Sequence, residues 1–213
     1  EPNAILKTNS MIYSGIFNSR TGINDTNVFS VGTDITKSVN PSYGSIQRLY
    51  AEDTNLIIFQ ESKVSRALID KNAIYSAEGG QISTVGNLVI GPVTAFAGDF
   101  GISRNPESFA VYGRRKYFTD KNRNVLLRLS NDGLTEISNY GMSDFFRDEL
   151  SDLNGRAIDE TGKAIGAWDI HSRQYVLSLQ KYVGQDSPQV FKTLSFDDSV
   201  NGFPSFFQYA PDH

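Results

Sequence analysis

The chain holds few residues able to make or break bonds. It has two histidines, His171 and His213, and no cysteine. A Ser-His-Asp arrangement needs an imidazole held beside a positioned hydroxyl. His213 is the last residue, and His171 lies in "DIHSRQY" without the glycines of a nucleophile elbow. His171 therefore reads as a hairpin-turn residue. Zero cysteine excludes disulfides, zinc–thiolate and iron–sulfur sites, and thiol nucleophiles. We assign no catalytic residue, expect no metal or cofactor, and read the chain as a non-enzyme.

Three patterns come closer to ligand chemistry. Asp120, Asn122 and Asn124 have the D-x-N-x-N spacing that opens a calcium loop, but Val125 replaces the glycine and Asn131 the closing glutamate. Asp and Asn also suit tight turns, because their side chains bond nearby backbone groups. The turn reading is the better one. "DETGKAIG" resembles a phosphate loop only in Gly162-Lys163. Ala164 stands where Ser or Thr is needed, and Ala157 where the first glycine belongs. Among 24 acidic residues nothing selects a pair for glycoside hydrolysis.

The net charge is −4, without a block of either sign, which argues against a dedicated nucleic-acid binder. Arg114-Arg115-Lys116 reads as a solvated tip between two strands. Aromatics make up 12% of the chain, and they suit contact surfaces as well as cores. Phe203, Phe206, Phe207 and Tyr209 crowd the end "FPSFFQYAPDH" and are the candidate interface aromatics. Tyr112, Trp168 and Tyr182 are the residues that a sugar-binding alternative would use as platforms.

No apolar run approaches the roughly 18 residues of a membrane helix. "NLVIGPVTAFAG" is broken by Gly91 and Pro92, and "EPNAILKTNS" lacks the form of a signal peptide. The start without Met and the aromatic end lead us to expect a piece of something longer.

Strands must position these residues. In "KYFTDKNRNVLLRLSNDGLTEIS", residues 116–138, Val125, Leu127 and Leu129 alternate with Leu126, Arg128 and Ser130. Asp132-Gly133 is expected to supply the positive φ angles of a hairpin turn. With "SFAVYG" before it, the stretch makes four strands in sequence from Phe109 to Ser138. The pattern recurs in "NLIIFQESKVSRALI", where Phe59 and Glu61 match Phe118 and Asp120. It recurs again in "GAWDIHSRQYVLSLQ", with Trp168 and Asp169, and "QVFKTLSF" adds a third strand there. "YGSIQRLYAED" leans to strand. Helix is expected only over "MSDFFRDELSDLNG", capped by Ser143, stopped by Asn154-Gly155, and striped with Phe146, Leu150 and Leu153. Four-stranded meanders in series favour a β-propeller-like fold over residues 1–213, whole or incomplete.

Several segments occur together and in order: "SGIFNSRTGINDTNVFS", "NPSYGSIQRLYAED", "GDFGISRNPESFAVYGRRKYFTDKNRNVLLRLSNDGLTEIS", "YGMSDFFRDEL" and "LSFDDSVNGFPSFFQYAPD". In these the chain resembles the muzzle-type tail structural proteins of crAss-like short-tailed bacteriophages. The resemblance implies a virion protein with β-propeller-like domains, ringing the DNA exit path. Its partners would be copies of itself and other tail proteins. DNA would pass without specific binding, and a host-surface glycan is the alternative ligand. Family members are much longer, and Gly202-Phe203 stands where a tryptophan is expected after a glycine.

Overall fold

Each hydrophobic period in the chain resolves into an antiparallel strand paired with its sequence neighbour. The computed structural model describes residues 6–15, 17–18, 21–30, 35–69, 89–154, 160–183 and 190–211. In order these form β1 (Ser10–Ile12), β2 (Phe17–Asn18), β3 (Ile23–Asn24), β4 (Thr36–Ser38), β5 (Ile46–Glu52), β6 (Asn55–Gln60), β7 (Val64–Ile69) and β8 (Ile90–Ala95). There follow β9 (Ala110–Tyr112), β10 (Arg115–Asp120), β11 (Val125–Ser130), β12 (Gly133–Glu136), α1 (Ser143–Ser151), β13 (Glu160–Asp169), β14 (Gln174–Val183), β15 (Val190–Asp197) and β16 (Gly202–Phe207). Among the described residues the protein is all-β with one short α-helix, as expected.

Three meanders dominate: sheet I (β5-β6-β7-β8), sheet II (β9-β10-β11-β12) and sheet III (β13-β14-β15-β16). Two ribbons, β1–β4 and β2–β3, precede them. Because side chains alternate between faces, a strand covered on both sides must be apolar on both. Sheet II meets that condition. Phe118, Leu127 and Leu129 pack with Ile57 and Phe59 of sheet I. Tyr117 and Leu126 pack with Tyr175, Leu177, Leu194 and Phe196 of sheet III. The far face of sheet I, with Ile58 and Ala67, is covered by Met11, Tyr13 and Val39 around the β1–β4 ribbon.

The strands that begin successive sheets lie side by side. β9 touches β13. Arg48 of β5 donates to the Pro106 carbonyl at 2.9 Å and lies 4.5 Å from the Phe109 ring centroid, just before β9. Connecting peptides wedge between the sheets. The one after β8 sends Gly101 N–H and the Ser103 hydroxyl to the buried Asp120 carboxylate, at 3.0 and 2.8 Å. Its Ile102 is fully buried between Phe59 and Phe118. α1 performs the second crossing, with Phe146, Leu150 and the following Leu153 all buried in the II–III core.

Three local expectations change. Asn131 and Asp132 form the β11–β12 turn, and only Gly133, at φ 103°, takes positive φ; an Asp-Gly pair with both residues there is not used. Ser143 is the first helical residue, not the cap. Met142 occupies the cap position without a side-chain bond, so packing against the core sets where α1 starts. Asn154 closes a 3-10 turn, while Gly155 lies outside the described residues. The Trp168 hairpin joins the first and second strands of its sheet, whereas the Phe59 and Phe118 hairpins join the second and third. The Phe59 and Phe118 hairpins thus hold equivalent places in sheets I and II, whereas the Trp168 hairpin shares only their turn chemistry.

Candidate interaction surface

The residues singled out for chemistry become structural. Asp120 accepts from Arg123 N–H in its own turn at 3.3 Å, and Asn124 takes a left-handed φ of 58° to close it. Asp169 likewise accepts from His171 N–H at 2.9 Å and Ser172 Oγ at 2.7 Å. Those bonds, the Ser172 hydroxyl first, hold the Asp169 carboxyl below its ordinary range. His171 is thus an exposed turn residue, and His213 lies outside the described residues. Among the described residues no three His, Asp or Glu side chains cluster to hold a metal. Gly162 abuts the Leu153 carbonyl instead of forming an open cradle: a Cβ there would sit 1.5 Å from that oxygen.

The basic triplet is mostly consumed. Arg114 follows Gly113 in the two-residue β9–β10 turn, with Gly113 at φ 56°. Lys116 points the other way, into the I–II seam, where it is 3% exposed and paired with Glu52. Arg115 and Arg128 share a face and reach Asp198, at 3.0 and 2.6 Å. Asp198 sits in the β15–β16 turn of the neighbouring sheet and also accepts from the Tyr117 hydroxyl. Burial, reinforced by that carboxylate, drives the Tyr117 hydroxyl well above its ordinary pKa. One largely enclosed carboxylate, its side chain 9% exposed, therefore bolts two sheets together at their turn ends. A single residue pattern could not reveal it, since 70 positions separate Arg128 from Asp198.

Beside this bolt runs a ladder of rings drawn alternately from sheets II and III. Tyr112 stacks on Trp168 at 4.3 Å and 7°, Trp168 on Tyr117 at 5.6 Å and 20°, and Tyr117 on Tyr175 at 5.0 Å and 15°. Trp168 is engaged by two rings, so it is no free sugar platform. Tyr112 keeps about half its surface in solvent. The Tyr182 side chain lies outside the described residues.

The terminal aromatics separate by face. On β16, Phe203 turns inward against Phe146 and Phe196, at 5.3 and 5.1 Å. Phe206 meets Phe145 edge-on at 5.8 Å yet stays 58% exposed. Phe207 packs with Tyr209 at 5.4 Å. The tail after β16 is tied down: Thr193 Oγ1 donates to the Tyr209 carbonyl at 2.6 Å, and Gln180 Nε2 to that of Pro211 at 2.8 Å. By strand register Phe206 shares the face of Leu194, and Phe207 takes the opposite face with Tyr209 packed on it. The two exposed rings, Phe206 and Tyr209, thus lie on different faces of sheet III, while the partly buried Phe203 packs against the core.

This chain matches no protein-family model and no curated protein. Its geometry and its residues carry the functional reading.

Proposed function

We propose that this chain is a structural module of a bacteriophage tail, of the muzzle type, working through protein–protein contacts in a ring around the DNA exit channel. The sheets would be blades of a β-propeller-like array. Their first strands lie toward one side, and their last strands, β8, β12 and β16, form the outer edges. One observation carries the reading: sheet II buries both its faces against other four-stranded meanders, so the repeated unit makes wall rather than pocket. The resemblance of the ordered segments supplies the virion context. Cations tied into ion pairs, such as Lys116, Arg115 and Arg128, suit a wall past which DNA slides, because phosphate binding rests on available Lys and Arg.

The test is direct. Mass spectrometry of purified particles should find peptides of this chain, and an antibody to it should decorate one end of the tail in electron micrographs. Absence from purified particles sinks the proposal.

Exposed Tyr112, lying flat on Trp168, favours one second reading, a glycan-binding tip protein. A glycan-array signal abolished by Tyr112→Ala would support it over a purely structural role.

A further inference from the structure

The two broad faces of sheet III differ in kind. Tyr175, Leu177, Leu179, Leu194 and Phe196 turn to the core shared with sheet II. By register the other face carries Val176, Ser178 and Gln180 of β14 beside Thr193 and Ser195 of β15. Phe207 of β16 lies next to Thr193 on that face. Its centre is polar and yet closed: Ser178, Gln180, Thr193 and Ser195 are each 0% exposed. Such residues are mostly found in water, and when buried they are there to bond something.

What they bond is a peptide main chain. The Gln180 amide donates to Ser178 Oγ at 3.2 Å and to the Pro211 carbonyl at 2.8 Å. Ser178 Oγ lies 2.9 Å from Thr193 Oγ1, which reaches the Tyr209 carbonyl at 2.6 Å. A carbonyl only accepts, so the Thr193 proton goes to Tyr209, and Ser178 supplies the proton between the two hydroxyls. The relay therefore ends in two donors, each on a carbonyl of residues 208–211. Those carbonyls are two positions apart, the spacing at which an extended chain repeats. Ser195 Oγ, enclosed on the same face, has no partner, so this strap leaves one hydroxyl of the face unused.

The strap is also cheap to lift. An apolar face needs permanent cover, as sheet II has on both sides. A polar face does not, because water replaces each lost carbonyl with little net change. Side chains add little grip: Tyr209 packs on Phe207 at 5.4 Å but stays 48% exposed, and Gln208 is exposed. Segments with so few buried contacts open first. We propose that this face of sheet III is a slot for extended peptide, closed in cis by residues 208–211. An incoming segment that offers carbonyls two residues apart displaces the strap. Recognition rests on main chain, with a ring over Phe207 as the side-chain preference. The slot goes beyond the assembly reading and stands without it.

Fluorescence anisotropy tests this on the full 213-residue chain, with a labelled peptide of the sequence of residues 205–211. The wild type should bind it weakly, because a tethered strap competes at an effective concentration on the order of millimolar. Loosening the strap with Tyr209→Gly and Pro211→Gly should tighten peptide binding at least roughly tenfold, since that competitor is removed. Adding Thr193→Val should cancel most of the gain, whereas Thr193→Ser should keep it. No tightening in the loosened chain, or equal binding with valine at 193, would overturn the proposal. Far-UV circular dichroism checks folding. Should the loosened chain unfold, the absence of native cysteine allows a second readout in Ala210→Cys. Saturating peptide should speed the reaction of that thiol with a thiol reagent, and an unchanged rate rules out the exchange.

Discussion

At the residue scale, one carboxylate decides how sheets II and III meet. Asp198 satisfies Arg115, Arg128 and the Tyr117 hydroxyl at once, and its own side chain is 9% exposed. Removing one partner of such a cluster strands the other charge out of water. Asp198→Ala should cost roughly 3 kcal/mol in denaturant melts, and adding Arg128→Met should restore a good part of it. A double variant no better than the single one would refute the bolt. The same geometry predicts an alkaline limit. Tyr117 and Tyr175 are both raised above the ordinary 10.0, burial being the first cause in each. A raised folded value means stability is intact below the unfolded pKa and lost as pH climbs through the folded one. Unfolding should therefore become easier above about pH 10. Tyrosinate absorbance from these two rings should appear only together with loss of structure.

At the element scale, close backbone approach sets which positions demand glycine. Gly166 lies on β13 over the wedge that enters sheet II. An added Cβ would fall 2.0 Å from the Ser108 carbonyl oxygen and 2.5 Å from the Tyr175 hydroxyl, which itself donates to that carbonyl. Backbone cannot swing aside as a side chain can. Gly166→Ala should cost about 3 kcal/mol or more by overpacking. Gly113→Ala has open space around its Cβ and only a positive φ to bear, so about 1–2 kcal/mol is expected. Thermal melts of the two variants rank them, and the reverse order would contradict this view of the seam.

At the scale of the whole molecule, the stack has no independent middle. Sheet II shares Phe118 and Leu127 with sheet I, and Tyr117 and Leu126 with sheet III. Removing either neighbour exposes an apolar face. The three sheets should therefore unfold in one transition, and Phe118→Ala and Phe196→Ala, in different seams, should each lower its midpoint. Separate transitions by calorimetry would show that the sheets are autonomous. An excised fragment of residues 106–142 should not fold.

Much of this was legible in the sequence because it is local. The alternation over residues 125–130 placed β11, the stripe of Phe146, Leu150 and Leu153 placed α1 and its buried face, and Asp with Asn marked the turns. Period and turn chemistry are short-range, so the chain's order alone determined an all-β protein of successive meanders. What only the tertiary structure decided is which face meets which neighbour. Arg128 looked like the polar side of a half-buried strand. It proved to face a second sheet, and it tolerates that place because Asp198 arrives from far along the chain. Trp168 and Phe203 read as surface aromatics, yet stacking engages the first and the second packs, partly buried, against the II–III core, whereas Phe206 stays 58% exposed. Such outcomes depend on distant segments converging, and no local period encodes that convergence.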